Sequence, residues 1–140
     1  MTWLLPQDGP IPLPVPGPWS QPYWDGCAAE ELRVQHCGRC GGFTHTPSAM
    51  CAHCTSPALE WRVSDGLGEI YSWTTVWRPA TPAFSVPYVP VIVDMREGWQ
   101  LLADLIECEH TEVHIGMAVE VVFHRRPDGV TLPYVRPAAQ

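Results

Sequence analysis

Hydrophobic and polar residues change rhythm twice along this chain. In the first 18 residues, apolar side chains alternate with prolines, from Pro10 through Pro12, Pro14 and Pro16 to Pro18. Proline fixes φ and has no N–H, so this stretch is neither helix nor central strand. It is expected to be an extended, polyproline-like arm. One reading is a disordered tail, which is preferred; the other is an arm lying along a partner. Trp3, Leu4 and Leu5 are unusual residues to leave in water. Residues 19–34, WSQPYWDGCAAEELRV, then place Trp24, Cys27, Ala28 and Glu31 near one helical face. Ser20 fits an N-cap and Pro22 the first turn, so a short helix is predicted, although Gly26 weakens it.

From Gly66 the rhythm becomes that of strands. Residues Glu69 to Trp77 are rich in aromatic and β-branched side chains. Pro79, Pro82, Pro87 and Pro90 make the following segment an irregular loop. Val91 to Met95 is the next strand, and Arg96-Glu97-Gly98 turns into a third over Trp99 to Ile106. Ala118 to Arg126 is a fourth, Pro127-Asp128-Gly129 is a hairpin turn, and Val130 to Val135 is a fifth. The connection Glu107 to Gly116 has room for one helical turn. Five strands with the longest connection between third and fourth follow the chain order of an OB-fold barrel; a small sandwich is the alternative.

Between helix and strands lie two CxxC pairs, Cys37-Gly38-Arg39-Cys40 and Cys51-Ala52-His53-Cys54. Ten residues separate them, enough for a hairpin that returns the chain to the first pair. Four thiolates close a tetrahedral shell around Zn²⁺. Gly41 and Gly42 supply the backbone freedom that a tight turn after the first pair requires. A disulfide framework is the competing reading, but it suits a small secreted protein, and the N-terminal run has no basic region and is broken by prolines. A redox role fits one pair on a βαβ unit, not two pairs in a loop. A closed shell of four cysteines leaves no position for a catalytic water, so the metal is read as structural. The chain is thus expected to be mainly β: arm 1–18, helix 19–34, zinc ribbon 35–64, and five-stranded OB-fold barrel 65–140.

Charge narrows the function. The net charge is −7, and all eight basic residues are arginine. Residues 65–140 carry ten acids against five arginines. A nucleic-acid binder leaves a basic footprint, so such a role is disfavoured. No apolar stretch approaches the roughly 20 residues of a membrane span. Zinc thiolates belong to a reducing compartment, and a cytoplasmic location is expected.

Other residue sets are read as structural. No Ser/Cys–His–acid arrangement stands out among His36, His45, His53, His110, His114 and His124. His36 and His53, next to zinc cysteines, are read as supporting or exposed rather than ligating. Cys27 reads as a small buried apolar residue. Cys108, between Glu107 and Glu109, is in a setting that raises a thiol pKa. Asp94, Glu97 and Asp104 are read as solvent-facing. Among seven tryptophans, Trp61 is a core candidate. Trp73 and Trp77 would share one strand face. With Trp19, Tyr23 and Trp24 they are read equally as core or as a partner interface.

The ordered set of Trp24, Cys37-Gly38-Arg39-Cys40-Gly41, Pro47, Cys51-Ala52-His53-Cys54, Trp61, Gly66 to Thr74, Pro87-Tyr88, Glu97-Gly98, Ile115 to Phe123 and Leu132-Pro133-Tyr134 resembles the zinc-ribbon plus OB-fold, acyl-CoA-associated family. The resemblance covers about residues 19–138 and leaves out the arm. It implies a rubredoxin-like ribbon with Zn²⁺ on Cys37, Cys40, Cys51 and Cys54. It also implies a non-catalytic accessory subunit of a thiolase-like enzyme, an aldolase or thiolase acting on acyl-CoA, including steroid side chains. The implied assembly is a partner dimer with two accessory chains and acyl-CoA near the interface. Arg78, Arg125 and Arg126 would then be candidates for the CoA phosphates. A stand-alone acyl-CoA-binding protein and a nucleic-acid-binding zinc-ribbon/OB protein are the alternatives.

Overall fold

Val89, Val91 and Val93 alternate along one strand with Pro90, Ile92 and Asp94, and only the valines are fully withdrawn from solvent. That alternation is the signature of a strand with one face on a core. In the computed structural model, which describes residues 3–139, it belongs to a closed barrel. The chain runs through α1 (Gln21–Ala28), then β1 (Arg33–Cys37), β2 (Phe43–Thr44), β3 (Leu59–Val63), β4 (Leu67–Trp73), β5 (Val89–Met95) and β6 (Gln100–Leu105). A single 3₁₀ turn (His110–Glu112) precedes β7 (Ala118–Arg125) and β8 (Thr131–Pro137).

The barrel order is β4-β5-β6-β8-β7, and pairing of β7 with β4 closes it. All pairs are antiparallel except β6 with β8, which meet in parallel at Leu105 and Val135. This is the OB-fold arrangement expected from the sequence. Strand β4 must serve two neighbours, and its register shifts between Ile70 and Ser72. Such a bulge bends the strand and tightens its twist. Gly68, paired on both sides, sits where a Cβ would lie 2.5 Å from the Asp94 carbonyl oxygen and 2.6 Å from Val93 Cγ1. Only glycine fits there.

The ribbon is a second sheet, β2-β1-β3, with β1 central. Its inner residues Leu32 and Val34 join Tyr23 and Cys27 of α1, and Trp99 and the barrel valines, in one hydrophobic cluster. Ribbon and barrel therefore share a core. Glu97, in the β5–β6 turn, reinforces the junction between them. It accepts hydrogen bonds from the Ser64 hydroxyl, the Asp65 N–H (3.3 Å) and Trp99 Nε1 (3.2 Å).

Three expectations change. The helix ends at Ala28, and Arg33 and Val34 belong to β1. The reason is local: Gly26, buried in α1, lets the chain double back across the helix. A Cβ there would lie 2.7 Å from the Glu31 carbonyl oxygen. Ser20 makes no side-chain cap; its hydroxyl accepts from the Gly17 N–H at 3.0 Å. Strand β4 stops at Trp73, so Trp73 and Trp77 do not share one strand face; beyond it, Val76 only bridges to Tyr88.

The arm is the third change. It lies along the chain's own barrel. Leu4 is 2% exposed; its N–H donates to the Cys108 carbonyl (2.8 Å) and its carbonyl accepts from the Glu107 N–H (2.9 Å). The Gln7 N–H donates to the Tyr134 hydroxyl at 3.0 Å, and its side-chain amide exchanges two bonds with the Ser85 backbone (2.9 and 2.8 Å). Trp3 and Leu5 stay exposed. The prolines set the shape of this segment, while the residues between them hold it down.

Candidate metal centre and the cleft beside it

Cys37 closes β1, Cys40 follows in the turn, and Cys51 and Cys54 come from a second turn before β3. The two turns are built alike. The Gly41 N–H bonds to the Cys37 carbonyl, and the Thr55 N–H bonds to the Cys51 carbonyl, both at 3.0 Å. Gly41 and Thr55 occupy matching left-handed positions, at φ 77° and 66°. Gly41 takes this conformation freely, whereas a β-branched residue does so only under strain.

The four sulfurs lie within 4.8 Å of one another. Cys37 and Cys54, and Cys40 and Cys51, are each 3.6 Å apart. A disulfide would bring sulfurs to about 2.05 Å. Zinc–sulfur bonds of about 2.3 Å give tetrahedral edges of about 3.8 Å. The arrangement therefore fits a four-thiolate metal shell. Backbone N–H groups of Arg39 and Cys40 point at the Cys37 sulfur (both 3.4 Å), and that of His53 at Cys51 (3.3 Å). Such donors favour a thiolate. The N–H of Cys40 first, then that of Arg39, holds the Cys37 thiol below its ordinary value. The N–H groups of Cys54 and His53 bring Cys51 down to about 6. At Cys40 the Gly42 N–H acts downward, but the neighbouring thiols and burial prevail and push it up to about 11. Four thiols compete for protons in one small space, and a bound Zn²⁺ would settle that competition by holding all four as thiolates.

The adjacent histidines point elsewhere. His53 Nε2 lies 2.9 Å from the Phe43 carbonyl oxygen. The His36 ring packs edge-on against Phe43, with Nδ1 3.3 Å from a Glu60 oxygen. His124 pairs with Asp8 at 2.7 Å, and the His114 ring meets the Glu112 carbonyl at 2.9 Å. Burial lowers His45 to about 4, so it is neutral near pH 7; its ring lies between those of Tyr23 and Trp99. Cys27 and Cys108 are buried, and burial first of all pushes their thiols up, to about 12 and about 11.

The aromatic and arginine candidates separate. Trp19 and Trp77 are each 57% exposed, and Trp73 is 39% exposed. Trp77 meets the His110 ring edge-on at 5.0 Å. Tyr23 is buried in the core and Trp24 packs against it, so Tyr23 is not a free interface residue. Arg78 and Arg125 are exposed and form no ion pair among the described residues. Arg126 is 4% exposed and already occupied. Its guanidinium donates to the Gln7 carbonyl, the Gly9 carbonyl (2.6 Å) and Asp128 (3.2 Å). It fastens the arm.

One feature of the site was not legible in the sequence. A cleft of about 670 Å³ opens where the arm, α1, the ribbon loop around His45 and the outer face of β5, β6 and β8 meet. Asp104, expected in solvent, lines it half-buried, and burial pushes its carboxyl up to about 6. It accepts no hydrogen bond and makes no ion pair among the described residues. Alternation along β6 does turn Asp104 outward, as expected; the arm and helix that cover it come from more than 75 residues earlier in the chain.

The zinc-ribbon domain described as "ChsH2, rubredoxin-like zinc ribbon domain" is matched over residues 24–60, and "ChsH2, C-terminal OB-fold domain" over residues 61–124. A DUF35 domain-containing scaffold protein of Methanocaldococcus jannaschii is 30% identical over 96 residues, 66% of this chain and 68% of that protein. The chain belongs to the DUF35 family. This DUF35 chain is also 31% identical over 116 residues to a probable enoyl-CoA hydratase alpha subunit of Thermomonospora curvata, covering 83% of this chain and 36% of that protein. It is 32% identical over 106 residues to the 3-oxo-4,17-pregnadiene-20-carboxyl-CoA hydratase alpha subunit of Mycobacterium tuberculosis, covering 76% and 34%. It thus spans about a third of the length of these two relatives. A solved structure described as "Ltp2-ChsH2(DUF35) aldolase" superposes with a TM-score of 0.82 at 29% identity, over 91% of this DUF35 chain and all of that one. No helix among the described residues is long and apolar enough to cross a membrane.

Proposed function

We propose that this DUF35 chain is a non-catalytic accessory subunit that binds and stabilises or activates a thiolase-superfamily enzyme, an aldolase or thiolase acting on acyl-CoA thioesters. The observation that carries this reading is the likeness of the whole fold to a chain of an aldolase assembly, at a TM-score of 0.82. The names of the relatives, scaffold protein and hydratase alpha subunit, point the same way. A steroid acyl group is the finer proposal, and it rests on the pregnadiene-carboxyl-CoA name of one relative.

The chemistry of the chain supports the reading. Its metal site, closed by four sulfurs, has a scaffolding geometry. Its histidines are engaged with carboxylates, carbonyls and rings. Exposed Trp19, Trp73 and Trp77 supply the large amphipathic surface that interfaces use. The partner would carry the catalytic residues and the greater part of the acyl-CoA site, with exposed Arg78 and Arg125 available to phosphates at its edge. Two accessory chains on a partner dimer is the expected assembly, in the cytoplasm.

Introducing charge at the exposed tryptophans tests this. Trp73→Asp with Trp77→Asp should leave the fold and the zinc content intact and weaken capture of a thiolase-fold partner at least tenfold, since central aromatic anchors dominate such interfaces. Undiminished capture by that variant would remove these tryptophans from the interface.

A further inference from the structure

The cleft beside Asp104 has no task in the reading above. Its volume of about 670 Å³ lies within the range of small-molecule sites, about 300–1,000 Å³. Trp24, Phe84, Leu102 and Leu132 give it apolar walls, and Asp104 is the acidic group among them. No lysine or arginine lines it, and the one histidine, His45, is held neutral by burial. Gln100, also in the lining, spends its amide on Asp94 at 2.7 Å. The nearby Tyr134 hydroxyl accepts the Gln7 N–H, which ties the arm down as the outer wall.

A half-covered carboxyl without a partner is a liability in a folded chain, because burial penalises its charge. The other polar groups named along the arm have partners: Gln7 bonds to Ser85 and Tyr134, Asp8 pairs with His124, and Arg126 donates to two arm carbonyls. Asp104 stands apart from that pattern. A ligand that brings a hydrogen-bond donor satisfies it, and an anion is repelled by it.

We propose that this cleft is a binding site for an apolar, ring-bearing small molecule that carries one hydrogen-bond donor, an amine or a hydroxyl, which Asp104 receives. The site is independent of the proposed docking surface at Trp73 and Trp77, neither of which lines the cleft. It also excludes polyanions. The phosphates of a CoA thioester would face Asp104 with no basic side chain to meet them.

Three probes with one ring system and three head groups separate the outcomes: 2-naphthylmethylamine, 2-naphthylmethanol and 2-naphthoate. Each is titrated at pH 7.5 into the full zinc-loaded chain and followed by the amide signals of β6 and α1. The amine and the alcohol are expected to bind with dissociation constants of about 1 mM or tighter, in line with fragment-sized ligands. The carboxylate is expected to bind at least tenfold more weakly. Preference for the amine assigns a cationic ligand; equal binding of amine and alcohol assigns a neutral donor. Asp104→Asn, checked for a retained fold by a cooperative melt and full zinc content, should remove the discrimination against naphthoate. A second variant, Leu102→Arg, should restore naphthoate binding and abolish that of the amine. Naphthoate binding as well as the other two in the parent chain, no binding by any probe, or discrimination that survives Asp104→Asn each overturns the proposal.

Discussion

At the scale of single residues, Arg126 and Asp104 show how far a role can lie from its sequence context. Arg126 stands in a run of two arginines at a strand end, where charge is normally solvated. Here it is buried and donates to two carbonyls of the arm. Arg126→Ala leaves those carbonyls short of a donor and should cost about 2–3 kcal/mol, the scale of buried groups left unsatisfied. Thermal melts would show the loss, and limited proteolysis would show cleavage within residues 1–18. Arg126→Lys should not rescue either readout, because one ammonium does not reproduce a planar fork. A resistant arm in the alanine variant would mean that Leu4 and Gln7 suffice. Asp104 acts oppositely. Its folded-state carboxyl is raised from 3.8 to about 6, so the fold favours the protonated form. The stability linked to it is complete below pH about 4 and is lost as pH rises through about 6. Asp104→Asn should therefore stabilise the protein by about 1–3 kcal/mol at pH 7.5 and by clearly less at pH 5. A gain equal at both pH values would place its cause outside this titration.

At the scale of elements, the ribbon depends on its metal. Four sulfurs closing one shell tie β1, the turn after it and the approach to β3 together. Site formation and folding are coupled in such modules. Chelation of zinc, or Cys37→Ser, should unfold the ribbon. Because Leu32 and Val34 share a core with Trp99 and the barrel valines, the loss should register at Trp99 as well. Stoichiometric zinc and an unchanged melt in Cys37→Ser would rule out the four-cysteine site. The ribbon and the five barrel strands were legible because their signals are local: paired cysteines at fixed spacing, β-branched runs, and turns such as Pro127-Asp128-Gly129. The end of α1 was not, because Gly26 serves a chain crossing that periodicity does not report. The arm was misread as a tail for a related reason. Its prolines are visible in sequence, but the partners of Leu4 and Gln7, at Cys108 and Tyr134, lie more than 100 residues away. The cleft was hidden with it, since its walls come from segments scattered between Gln7 and Tyr134.

At the scale of the whole molecule, the two sheets and the arm pack as one unit. One core unites arm, helix, ribbon and barrel, and Trp19, Trp73 and Trp77, exposed like Trp3 and Tyr71, lie outside it. A net charge of −7 without a lysine sets the chain against nucleic acid. The most direct test is affinity capture of the zinc-loaded chain from its native host at moderate salt, with bound proteins identified and quantified by mass spectrometry. The account predicts a thiolase-fold protein in near-equal molar amount. Recovery of the chain alone, or with RNA and ribosomal proteins in place of such an enzyme, would contradict it.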